Sequence, residues 1–154
     1  MRWFLLIDTV DLGVMIVVMD KKLYYLFLDD IRIPKSVTWV NLPLVPWEIV
    51  RNYDQFVSKI KNCGMPKFIA FDHDLSTEHY HPSMYSDNSE DYNKLYDSDF
   101  FKEKTGYECA KWAVEYCMNK GLTFPDYVCH SMNPIGRANI ESYIENFKRA
   151  YTLL

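Results

Sequence analysis

The chain has 154 residues, 49% of them apolar and 25% charged, which suits one domain with a sizeable core. Its net charge of -4 excludes broad, charge-driven binding to nucleic acid or an anionic membrane, yet leaves room for a small phosphate-bearing ligand in a locally positive or metal-filled pocket. Cys63, Cys109, Cys117 and Cys129 form no C-x-x-C pair, which argues against a cysteine zinc site and for reduced thiols in a cytoplasmic protein.

The opening "MRWFLLIDTVDLGVMIVV" is apolar, but Asp8 and Asp11 interrupt it and no small-residue cleavage site follows. A signal peptide or spanning helix is therefore disfavoured. Residues 1–18 read as an extension or a loosely packed extra strand without assigned function, and residues 19–154 as a single domain. "LYYLFL" (23–28) predicts a buried strand, and "SVTWVNL" (36–42) a weaker second one. "PWEIVRNYDQFVSKIKNCG" (46–64) predicts a helix opened by Pro46 and closed by Gly64. "KFIAF" (67–71) reads as a third strand, apolar on both faces as in a covered parallel sheet.

Residues 75–104, rich in Ser, Asp, Asn and Tyr, read as an inserted surface loop able to act as a lid. "TGYECAKWAVEYCMNKG" (105–121) predicts a helix, "DYVCH" (126–130) a fourth strand, and residues 134–151 a last helix striped with Ile140, Tyr143, Ile144 and Phe147. Strands alternating with helices predict an α/β three-layer sandwich around a mainly parallel, reduced sheet. Ligands in such folds bind beyond the carboxyl ends of the strands.

Every polar cluster of interest falls at such an end. The first strand ends in Asp29-Asp30 followed by Arg32, the third in Asp72-His73-Asp74, and the fourth in His130-Ser131-Met132-Asn133 before Gly136-Arg137. Carboxylates crowded from two strand ends raise one another's pKa unless a cation neutralises them. An all-oxygen set of Asp29, Asp30, Asp72 and Asp74 suits Mg²⁺, with Mn²⁺ the alternative. His130, between a strand and a helix start, is a candidate general acid or base alongside Asp72. Arg32 and Arg137 are candidate phosphate clamps, and Ser131, Asn133 and Thr105 candidate phosphate-binding or capping donors. His79 and His81, in the polar loop, read as solvated, and His73 as pointing away from the site.

"YLFLDDIRIP", "FIAFDHDLS", "TGYECAKWA" and "VCHSMNPIGRANIESYI", four motifs in order from residue 23 to about 147, together resemble the cyclic-phosphate-processing receiver-like domains, relatives of response-regulator receivers. The resemblance implies a receiver-like (flavodoxin-like) fold with Asp29, Asp30 and Asp72 as Mg²⁺ ligands. A signalling receiver has five βα units and a lysine ending its fifth strand. This chain has four clear strands and no counterpart to that lysine, so the pattern does not favour a phosphorylation switch at Asp72. The link from Pro34 to Val37 is also too short for a crossover helix, which makes the second strand an edge or antiparallel strand.

The sequence thus points to a metal-dependent phosphoesterase opening a cyclic phosphodiester, either a 2′,3′-cyclic phosphate on an RNA end or a cyclic nucleotide. The alternative is a non-catalytic receiver-like module binding a nucleotide or a partner protein. Two-histidine phosphoesterases need two H-x-[ST] motifs, which His79-Tyr80-His81 and His130-Ser131-Met132 do not supply.

Overall fold

The computed structural model describes residues 23–75 and 104–152. The expectations for residues 1–18, for His79 and His81, and for a lid within the inserted loop fall outside these residues. Strand β1 (Tyr25–Leu28) is followed by a single 3-10 turn, Pro34–Ser36, and then by irregular backbone up to β2 (Trp47–Val50). Helix α1 (Tyr53–Cys63) leads into β3 (Phe68–Phe71). Helix α2 (Gly106–Lys120), β4 (Asp126–Cys129) and helix α3 (Pro134–Thr152) complete the order.

Two local expectations are corrected. Residues 36–42 form no strand: Val37, Val40 and Leu42 pack over Phe27 and Ala70, so their apolar character serves as a cover for the sheet rather than a rung of it. Residues 47–50, expected inside the first helix, are instead β2, paired with β1 from Tyr25↔Trp47 to Leu28↔Val50. An aromatic and two β-branched residues favour the pleat, and Pro46 lies just ahead of it, where a missing N–H is tolerated. The helix starts later because Asn52 caps it, its Oδ1 accepting from the Gln55 backbone N–H at 2.9 Å. At its other end Gly64 takes φ 80°, a conformation open to glycine, and donates to the Ile60 carbonyl at 2.8 Å.

The four strands form one all-parallel sheet in the order β2-β1-β3-β4. This is an α/β architecture with flanking helices, as the alternation of elements implied. Leu26, Leu28, Ile69, Phe71 and Cys129 point to one face, where Phe56 and Ile60 of α1, Ala110 and Ala113 of α2, and Ile140 and Ile144 of α3 close a core. On the other face, Phe27 and Ala70 lie under the 29–46 connection, hereafter the strap. The division follows from crossover handedness. A connection running from β1 to β2 and one running back from β2 to β3 must cover opposite faces if both have the same hand. The chain therefore reverses direction between β1 and β3, and that switch point is where the sheet opens a crevice beyond its carboxyl ends.

Candidate functional site

Asp29, Asp72 and His130 are each the first residue past a strand. The ladder runs on by one step through them: Asp29 N–H donates to the Val50 carbonyl at 3.2 Å, Asp72 N–H to Leu28 at 2.9 Å, and His130 N–H to Phe71 at 2.9 Å. Because side chains alternate along extended backbone, all three point opposite to Leu28, Phe71 and Cys129, toward the strap side. All three are buried, and His130 stacks on Phe27 with ring centroids 4.6 Å apart.

Buried polar groups need partners, and both carboxylates have them, whereas His130 is bonded through Nε2 and its buried Nδ1 has no hydrogen-bond partner among the described residues. Asp29 Oδ1 accepts from the backbone N–H groups of Ile31, at 2.9 Å, and Arg32. Asp29 Oδ2 meets His130 Nε2 at 3.0 Å and Arg32 Nη1 at 3.3 Å. The same Arg32 nitrogen reaches Asp72 Oδ2, also at 3.3 Å, while Asp72 Oδ1 accepts from the His73 backbone at 2.8 Å. Asp29, Asp30 and Asp72 each bring one carboxylate oxygen into a group whose members lie within 4.8 Å of one another.

The two buried carboxylates differ in electrostatic character. Burial raises the Asp29 pKa, but the His130 hydrogen bond and the Arg32 and Ile31 backbone donors outweigh it and hold the group below its ordinary value. Asp72 is pushed up to about 6, first by burial and then by the neighbouring negative charge of Asp29. His130, a Ser131 hydrogen bond and Arg32 offset only part of that rise. Asp29 is thus a fixed anion, and Asp72 an anion whose charge depends on what cation stands beside it.

Asp74 is not in this cluster. Its Oδ1 holds His73 Nδ1 at 2.8 Å and accepts from Asn133 Nδ2 at 3.3 Å, while Asn133 Oδ1 caps α3 by accepting from Gly136 N–H at 2.9 Å. Two glycines fit helices against this corner. Gly106 donates to the His73 carbonyl at 2.7 Å, and a Cβ there would stand 1.7 Å from the Asp72 carbonyl oxygen. A Cβ on Gly136 would strike the His73 ring at 2.3 Å. His73 does point away from the Asp29–Asp72 pair, but it is tied to Asp74 and packed against the start of α3.

The other candidates divide as follows. Ser131 is buried beside Asp72. Thr105 caps α2 in a capping box with Glu108, so its hydroxyl is engaged locally. Arg137 is half-buried in the first turn of α3; its N–H donates to the Asn133 carbonyl at 2.9 Å, and its guanidinium makes no hydrogen bond or ion pair among the described residues. Two contributors escaped the sequence reading. Arg51 Nη1 donates to the carbonyls of Asp29, at 2.9 Å, and Arg32, at 2.6 Å, riveting the start of the strap. Trp39 Nε1 donates to the His130 carbonyl at 2.9 Å, and its ring lies 5.6 Å from the Arg32 guanidinium carbon. Neither partnership has a local sequence signal.

A parallel α/β sheet with an acidic cluster at its switch point, without a fifth strand among the described residues, defines a reduced receiver-like domain. The chain belongs to the cyclic-phosphate processing receiver domain family, whose model matches residues 24–146. No curated protein and no solved structure matches it. No helix among the described residues is long and apolar enough to cross a membrane.

Proposed function

We propose that this domain is a metal-dependent phosphoesterase that opens a cyclic phosphodiester, with a nucleotide or RNA end carrying a 2′,3′-cyclic phosphate as substrate. The family's link to cyclic-phosphate processing supports the substrate class. The observation that carries the reaction type is the convergence of Asp29, Asp30 and Asp72 beside the Arg32 guanidinium at the switch point. That donor set is all carboxylate oxygen and suits a hard cation such as Mg²⁺ or Mn²⁺. When bound, the cation would supply Lewis-acid polarisation of a phosphoryl oxygen.

The chain's own residues divide the remaining work. Arg32 pairs with phosphate oxygens and stabilises charge that develops on them. Asp72, whose pKa is raised in the metal-free protein by burial and by Asp29, would be held as the carboxylate by a bound cation and so serves as a ligand. His130 is wholly buried with Nε2 on Asp29, so it acts by orienting that carboxylate rather than by touching substrate.

The test is turnover of 2′,3′-cyclic mononucleotides with Mg²⁺ and with chelator. Wild type is expected to open the ring only with metal, and Asp72→Asn to lose about 10²-fold or more in rate. Turnover that ignores chelator, or an unimpaired Asp72→Asn, defeats this reading.

A further inference from the structure

We propose that Trp39 is the platform on which the substrate's nucleobase stacks, and that it holds a base by its face while reading none by its edge. The inference deepens the phosphoesterase reading and rests on it for the phosphate at the crevice. Its central measurement is of binding and needs no turnover.

Trp39 lies where a base has to lie. Its ring is 5.6 Å from the guanidinium carbon of Arg32, the residue that joins the Asp29 and Asp72 carboxylates. In a nucleoside 2′,3′-cyclic phosphate, base and phosphate hang from neighbouring carbons of one ribose, so a surface for the base must adjoin the phosphate site. Nothing needs to move for this. Arg32 keeps its carboxylates and its contact with the indole, and Trp39 beside it is 41% exposed. Ile31, next to Arg32 in the chain, and Met132, two residues past His130, are exposed as well. Both residues that touch Trp39 are thus neighboured by open apolar side chains.

The ring is fixed without being buried. Its Nε1 donates to the His130 carbonyl at 2.9 Å, which ties the strap to the end of β4. Val37 and Val40, close to it in the chain, pack over Phe27 and Ala70, whereas Trp39 belongs to neither apolar cluster. A tether alone would be served by a buried ring. Leaving a large aromatic surface in water forgoes hydrophobic free energy that a stacked ligand recovers. The tether also sets the selectivity. Indole has one polar atom, a donor, and here it is committed to His130. What remains is a π-face, which every base can match, so preference among bases follows stacking strength rather than hydrogen-bond readout.

Calorimetric titration in Mg²⁺ with adenosine 2′-monophosphate, and with glycerol 2-phosphate as the base-free counterpart, isolates the share of the base. Wild type is expected to bind the nucleotide about 5- to 150-fold more tightly, the range for one base on one aromatic ring. In Trp39→Leu the two affinities are expected to converge, with that for glycerol 2-phosphate as in wild type. Trp39→Phe, which keeps an aromatic face and loses the tether, is expected to fall between. Cytidine 2′-monophosphate is expected to bind wild type within about tenfold of the adenosine compound. Equal binding of nucleotide and glycerol phosphate by wild type overturns the platform, as does a loss in Trp39→Leu that falls equally on both, and either leaves the phosphoesterase reading standing. A far wider gap between the two bases overturns recognition by the face alone. Failure of wild type to bind either phosphate overturns the phosphate site in that reading, and the platform with it. The expected convergence without ring opening by wild type upholds the platform in a domain that binds nucleotide and does no chemistry.

Discussion

The two faces of the sheet are built on different principles. On the helical face, three helices bury Phe56, Ile60, Ala113, Ile140 and Ile144 against Leu26, Leu28 and Phe71, with each side chain held by many neighbours. On the strap face, a small cluster of Phe27, Val37 and Ala70 lies under backbone that has no regular ladder. The strap's position depends instead on discrete bonds: Arg51 to two carbonyls, Trp39 to a third, and Asp29 to two N–H groups. Dispersed apolar contact gives stability that no single polar group controls. Discrete bonds give position, and they place Arg32 and Asp29 at the crevice. Stability and chemistry are therefore separable in this domain.

The largest expected effect lies on the helical face. Phe56→Ala should cost about 3–5 kcal/mol in denaturant unfolding, by lost transfer energy and a residual cavity. Metal affinity in the surviving folded fraction should be unchanged, and a parallel loss of both would deny the separation of the faces. Arg51→Met should cost about 2 kcal/mol through two lost charged hydrogen bonds. Amide exchange should locate that loss in residues 29–37, with α2 and α3 still protected. Protection lost evenly across the chain would mean that the strap carries the fold after all.

A pH series sharpens the contrast between the two carboxylates. The folded-state pKa of Asp72, about 6, lies above its ordinary value of 3.8, so the metal-free protein gains stability as pH falls from 7 toward 4. Asp29 has the opposite sign: its contribution is present above its ordinary value and is lost as pH falls through its depressed folded value. Metal-free melting temperature should therefore rise on mild acidification and fall on strong acidification. Asp72→Asn should raise stability at pH 7 by about 1–2 kcal/mol and flatten the first limb. A rising limb that survives the substitution would assign it elsewhere. The smallest effect expected is that of Trp39→Phe, about 1 kcal/mol for one lost hydrogen bond, read in denaturant. A cost several times larger would show that the strap hangs on that single bond.

Much of this was legible in the sequence. Strand ends finishing in Asp29-Asp30, Asp72 and His130 located the crevice, because apolar runs stop on charge only where the sheet ends. The capping of α2 was equally visible in Thr105 followed by Glu108. The second strand was misplaced because β2 is an edge strand whose Glu48 and Ile49 are exposed, so its apolar signal merges with that of α1. Asn52, a ready cap within that run, marked the true boundary. The separation of Asp74 from the other carboxylates was not legible, since it depends on His73 and on Asn133, which lies 59 residues further along. Nor was Trp39, whose partner His130 is 91 residues away.

The hydrogen bond from Gly106 N–H to the His73 carbonyl joins the last residues of one strand end directly to the first turn of the next helix. Whatever intervenes between Leu75 and Lys104 is closed at its base by that bond, within reach of Asp72. Entropy of closing such a loop grows only slowly with its length. The corner that positions Asp72 is thereby joined to the first turn of α2 by backbone alone. A substitution that breaks this bond would therefore be felt at Asp72 and at the start of α2 together.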